Sequence, residues 1–168
     1  VGRAFMGCNN ATYTATDTPS VSTTSMDRAF LWNYAADIDF TDWDVSGVTD
    51  FSYFAQQSYL MSGTGGDTWD TSSALSFKSM FYMSYAFDQD LSGWDVNQVT
   101  NYSNCFRSTS LSTTNYDALL ISWEAQAPQL NETPNFGSAQ YTLGGAAATA
   151  RASLISTYGW TITDGGGI

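Results

Sequence analysis

The sequence predicts an α/β fold: a short right-handed solenoid of about four to five coils, each near 25 residues, with an αβαβ C-terminal cap. Three observations carry this expectation. The stretch "DIDFTDWDVSGVTDFSYFA" (37–55) recurs as "DQDLSGWDVNQVTNYSNCF" (88–106). Trp69 lies between Trp43 and Trp94 at 26 and 25 residues, so the period is about 25 and not 51. The same spacing brings Phe5, Phe30, Ala55, Phe81 and Phe106 into one column, and Met26, Phe51, Phe77 and Tyr102 into another.

Each coil divides into two parts. "FTDWDV" and "LSGWDV" space their apolar residues (Phe40, Trp43, Val45 and Leu91, Trp94, Val96) as in the short strand of leucine-rich solenoids. "VTNYSNCF" then places Val99, Tyr102, Cys105 and Phe106 on a helical or 3₁₀ stripe. One coil cannot bury both faces; coils stacked about 4.8 Å apart turn the Trp, Phe and Val columns into a continuous core. The coil "AQQSYLMSGTGGDTWDT" departs from the rule. It lacks the Phe or Leu that precedes the other tryptophans and carries Gly63, Gly65 and Gly66 instead, and a repeat that breaks its own rule is where function is expected.

After Phe106 the pattern changes. "STTNYDALLISWEAQAP" supplies a Ser/Thr cap, an apolar stripe (Tyr116, Leu119, Leu120, Trp123) and a terminating Pro128, and so predicts an amphipathic helix. "NFGSAQYTL" predicts a strand, "GGAAATARASLISTYG" a second helix and "WTITD" a last strand. The organisation expected is one domain over 1–168, with the solenoid at 1–110, the cap at 111–164 and linker at 165–168.

Composition excludes several classes of partner and chemistry. Sixteen acidic residues against five basic ones, with no His, leave a net charge of −11, so nucleic acid and anionic membrane surfaces are poor partners. No run of about 18 apolar residues suggests membrane insertion, and "VGRAFMGCNN" does not resemble a signal peptide, so the chain reads as a monomeric module cut from a longer one. Acyl transfer lacks a base, and carboxylate pairs such as Asp44 with Asp70 arise in any stacked Asp ladder, so no enzyme is expected. Four coils separate Cys8 from Cys105, about 19 Å at strand spacing, which predicts two free thiols, with Cys105 a buried small hydrophobe.

The phrase "F-D-Q-D-L-S-G-W-D-V-N-Q-V-T-N-Y-S-N-C-F" resembles the BspA-type, leucine-rich-repeat-like surface repeat of bacterial lipoproteins and adhesins, whose coils read "W-D-V-S-x-V-T-x-M-x-x-M-F". The resemblance covers about residues 20–110 and is closest in 36–55 and 86–106. It implies a secreted, cell-surface protein. A single domain of this type also resembles the peptide-binding module of calcium-dependent RTX adhesins. That likeness implies a grip on the carboxyl terminus of a protein on a host or neighbouring cell, in adhesion and biofilm formation.

Three sets of residues are candidate sites. Asp44, Asp70 and Asp95 follow the three tryptophans and should stack in a ladder, either capping backbone N–H groups, the preferred reading, or facing a ligand. Asp37 with Asp39 and Asp88 with Asp90 form D-x-D pairs able to contribute to a calcium site, and Asp42 and Asp67 join the same acidic wall. Tyr34, Tyr59 and Tyr85 fall in one column, combining rigid apolar area with a hydrogen-bonding tip. Tyr59, beside Gly65 and Gly66, is the leading candidate for ligand contact, with backbone amides of that turn or a bound calcium receiving a ligand carboxylate. The function expected is therefore an extracellular recognition module binding an extended peptide or protein C-terminus; the alternatives are a structural spacer and a carbohydrate-binding module.

Overall fold

The computed structural model describes residues 6–7, 22–34 and 38–168. Among them are two α-helices, α1 (Thr113–Ala125) and α2 (Ala146–Ser156), one 3₁₀ turn (Gly66–Thr68) and no strand. The α/β solenoid with an αβαβ cap is therefore not what the chain forms. Among the described residues, extended pairing is confined to four isolated parallel bridges: Ser25–Asp50, Asp50–Ser76, Asn135–Thr163 and Tyr141–Gly167.

The backbone shows why strands do not form. The coils do stack, but through turns. In the wall containing residues 51–57, Phe51, Tyr53, Ala55 and Gln57 donate to the carbonyls of Ser76, Lys78, Met80 and Tyr82 in the next coil at 2.7–3.0 Å. Alternate residues bond within their own coil instead: the Phe54 N–H donates to the Phe51 carbonyl at 3.1 Å. Arg28, Trp32, Tyr53, Gln57, Ser79, Met83, Asn104 and Ser108 all have φ between 51° and 62°, giving each of these four coils two left-handed residues four apart. A β-strand needs negative φ throughout, so this ladder of turns cannot be one. At the "WDV" stretches, Val48 N–H to Val45 carbonyl (2.8 Å) and Trp94 N–H to Leu91 carbonyl (3.1 Å) turn the chain before an extended run can develop.

A side-chain column holds the turn wall in register. Ser25, Asp50, Ser76 and Asn101 each accept the N–H two residues ahead, and Asn135 in the cap does the same for Gly137. These are Asx and Ser turns, in which a short polar side chain replaces the missing backbone partner.

The core is an aromatic stack. Phe30, Phe54, Phe81, Phe106 and Phe136 follow one another at ring-centroid distances of 5.1, 5.9, 6.0 and 6.0 Å. The pairs Ala29–Phe30 and Phe54–Ala55 interchange large and small residues between adjacent coils, and all four are buried, so the volume is conserved. The tryptophan indole N–H groups staple coil to coil: Trp69 donates to the Phe40 carbonyl (3.4 Å), Trp94 to Gly66 (2.8 Å), Trp123 to Leu91 (3.2 Å) and Trp160 to Gln129 (2.7 Å).

The two helices lie where the sequence places them. Ser112 caps α1 by accepting the Asn115 N–H, and Tyr116, Leu119, Leu120 and Trp123 are its buried stripe. Polar side chains of α1 and the residues following it supply the backbone partners a further coil would have brought. The Gln126 amide accepts the Val96 N–H and donates to the Trp94 carbonyl, both at 2.8 Å, and Gln129 donates to the Asn97 carbonyl at 2.7 Å. The predicted cap strands 135–143 and 160–164 reduce to single bridges. Gly165–Ile168, expected as linker, is tied to the cap by Gly165 N–H to Ala139 carbonyl (2.8 Å) and Ile168 N–H to Tyr141 carbonyl (2.9 Å).

Candidate ligand-binding surface

Two walls flank the core. Phe30, Phe54 and Phe81 project from the turn wall and meet Phe40, Trp69 and Phe87 of the opposite, tryptophan-bearing wall at 3.9–5.5 Å. The polar side chains of these two segments therefore face solvent on opposite sides of the stack.

The tryptophan-bearing wall is the acidic one. Asp44, Asp70 and Asp95 accept the N–H groups of Ser46, Ser72 and Asn97 at 3.1, 3.0 and 2.9 Å. Asp39 and Asp90 do the same for Thr41 (2.8 Å) and Ser92 (2.9 Å). Capping is thus the role these side chains perform. The hydrogen bonds from Thr41, Ser46 and Ser72 hold the Asp39, Asp44 and Asp70 carboxyls below their ordinary range, although Asp70 partly opposes this at Asp44. Asp42 and Asp67 are exposed; Asp42 occupies a left-handed turn position with φ 65° and Asp67 lies within the 3₁₀ turn.

Of the two D-x-D pairs, Asp88 with Asp90 is the one described throughout. Asp37 lies outside the described residues. Asp88, partner of Asp90 in the second D-x-D, turns instead to α1, where it accepts from the Ser112 N–H (2.8 Å), the Ser112 hydroxyl (3.0 Å) and the Asn115 amide (2.8 Å). Among the described residues, no group of three or more His, Cys, Asp or Glu side chains could hold a metal ion.

The glycine-rich turn is packed inward. Gly63, Gly65 and Gly66 are buried. At Gly65 φ is 79°, and a Cβ would stand 2.1 Å from the Thr41 backbone nitrogen, so only glycine allows this approach. The Thr64 carbonyl accepts the Phe40 N–H at 2.8 Å. Backbone thus takes the place of the missing Phe or Leu, and Gly65 and Gly66 are not displayed for a ligand.

The tyrosine column is the part of the predicted site that the structure assembles on the surface. Tyr34 and Tyr59 rings lie 5.0 Å apart, as do Tyr59 and Tyr85. Tyr34 and Tyr85 are 37% and 46% exposed, Tyr59 is half-buried between them, and Leu60 beside it is 58% exposed. Desolvation and the neighbouring Tyr59 hydroxyl raise the Tyr34 phenol above its ordinary value, so it stays protonated at neutral pH.

Several surface residues escaped the sequence reading. Trp32 is 45% exposed. The Arg28 guanidinium and Lys78 ammonium lie 4.4 and 5.3 Å from the Tyr53 ring centroid, and Arg107 lies 5.5 Å from that of Tyr82. The signal was present as a 25-residue spacing of Arg28, Tyr53 and Lys78, and of Tyr82 and Arg107. Of the two thiols, Cys8 lies outside the described residues and Cys105 is free and buried.

Residues 3–140 match the family described as "Mycoplasma protein of unknown function, DUF285", whereas no curated protein and no solved structure matches the chain.

Proposed function

The chain belongs to the DUF285 family, and on that premise we propose that it is an extracellular recognition module of a bacterial surface adhesin, binding an extended peptide or a protein C-terminus. The family match is compatible with a BspA-like surface repeat, which supports the placement outside the cell. The observation that carries the binding reading is the exposed row of Tyr34, Tyr59 and Tyr85 at 5.0 Å intervals. Tyrosine buries a large, rigid area at little entropic cost and keeps a hydroxyl for hydrogen bonding. A peptide laid along the stack meets one such ring per coil, with its polar backbone within reach of the phenol tips.

The test is capture of displayed peptides carrying either a free C-terminus or a free N-terminus. Selective capture of free C-termini, lost in Tyr59→Ala and Tyr85→Ala, supports the reading; no capture in either format defeats it. Calcium assistance is a separate part of the proposal. An ion held by the folded carboxylates raises the melting temperature by mass action, so identical melting in millimolar calcium and in EDTA removes it.

A carbohydrate-binding module is the second reading, favoured by the exposure of Trp32 at 45%. Retention of a glycan by the wild type and its loss in Trp32→Ala would move the assignment there.

A further inference from the structure

Four cationic side chains stand among the described residues, and they are unevenly placed. Arg151 is engaged within the cap by a two-pronged contact to Asp164 at 2.7 and 3.1 Å. The other three, Arg28, Lys78 and Arg107, belong to the turn wall. Arg28 is neutralised by Asp27 beside it. Neither Lys78 nor Arg107 makes an ion pair with a described carboxylate, and each lies over a tyrosine ring instead. In a chain of net charge −11, two cations without described carboxylate partners, each backed by an aromatic face, stand on the same wall in successive coils.

We infer that this turn wall is where a carboxylate-bearing peptide docks, with Lys78 and Arg107 receiving its anionic groups and Tyr82 covering the residue next to them. The inference rests on the peptide-recognition reading above and moves the charged end of the ligand from the acidic wall to the opposite one. Register supports the placement. Tyr53 donates its N–H to the Lys78 carbonyl (2.8 Å), Gln57 to the Tyr82 carbonyl (2.7 Å) and Met83 to the Arg107 carbonyl (2.9 Å), so the patch spans three successive coils. Lys78, Tyr82 and Tyr85 belong to one coil, which makes the patch continuous in sequence with the exposed tyrosine row.

Charge complementarity selects the occupant. A guanidinium with one face on a tyrosine keeps its in-plane N–H fork for a carboxylate, while an ammonium on an aromatic face remains a point charge for a second oxygen. Two carboxylates share the turn wall, Asp27 paired with Arg28 and Asp50 accepting the Ser52 N–H. The acidic wall itself lies across the core, on the order of 10 Å away, and the Debye length is about 8 Å at physiological salt, so its repulsion is largely screened at the patch.

The test uses labelled N-acetyl-hexaglutamate in fluorescence anisotropy at physiological salt. The expected result is saturable binding to the wild type that weakens at least tenfold in Lys78→Gln/Arg107→Gln and is recovered in part by Lys78→Arg/Arg107→Lys. Binding close to wild type is expected in Asp44→Asn/Asp70→Asn, since the acidic wall is largely screened from the patch; a loss like that of the double glutamine variant would overturn the assignment to Lys78 and Arg107. Unchanged binding in the double glutamine variant, or no hexaglutamate binding by a protein that still captures free C-termini from the peptide library, overturns the docking inference alone. Failure of the library capture as well removes the recognition reading with it. Matching melting curves for all variants establish that loss of binding is not loss of fold.

Discussion

At the residue scale, single side chains and single missing side chains set the geometry. Gly65 is the clearest case: its left-handed φ of 79° and the Thr41 nitrogen 2.1 Å from a built Cβ leave no room for alanine. Gly65→Ala should cost at least about 2 kcal/mol, measured by urea unfolding. The sequence marked this turn as irregular, but a missing Phe looks the same whether backbone or ligand fills the space. The aspartate caps were legible because Asp recurs in phase before Ser or Asn, the chemistry of an Asx turn. Their pH dependence has a definite sign. Asp39, Asp44 and Asp70 have carboxyls lowered by folding, so their contribution is complete above the unfolded value near 4 and is lost as pH falls through the folded values. Melting temperature should drop on acidification below about pH 4, and less so in Asp70→Asn, where the titrating cap is absent. Burial raises the Cys105 thiol to about 12, so in a Cys8→Ser background it should resist a disulfide reagent at pH 8 until the protein is unfolded.

At the element scale, the helices were legible and the strands were not. Helix α1 announced itself through Ser112, the apolar stripe from Tyr116 to Trp123, and Pro128, all local signals. The strands failed because a 25-residue apolar period says which residues face inward and nothing about the sign of φ. Tyr53 and Gln57 adopt left-handed backbone although neither is a residue type known for it, and the inter-coil bonds flanking them supply the compensation. The cap closes the stack by side-chain mimicry of backbone. Gln126→Ala removes both bonds to the Trp94–Val96 segment and should destabilise the protein by about 1–3 kcal/mol in denaturant unfolding. Asp164 accepts from the Tyr116 hydroxyl at 2.8 Å and pairs with Arg151, with only 3% of its side chain exposed. Asp164→Ala strands a partly buried guanidinium and a buried phenol, and the expected loss is about 3 kcal/mol.

At the scale of the whole molecule, the sequence revealed the repeat but not which faces the repeat would show. Burial was expected for all three repeat tryptophans. Trp69 and Trp94 are enclosed, with their rings stacked 6.3 Å apart, whereas Trp43 is half-buried and Trp32, outside the alignment, is the exposed indole among those described. Iodide should therefore quench only a minor part of the native fluorescence, and Trp32→Phe should abolish most of that part. The cationic patch was invisible in composition, because a few basic residues vanish in a net charge of −11 until the fold gathers them on one wall. One consequence follows from bonds that run from coil to coil, as from Phe51, Tyr53, Ala55 and Gln57 to the residues 25 ahead. Tension applied along the stack would load these bonds one coil at a time, as in a zipper, rather than all together in shear. Each coil that peeled away would release about 25 residues, on the order of 80 Å of slack. A chain built this way would yield in steps and absorb a pull before transmitting it.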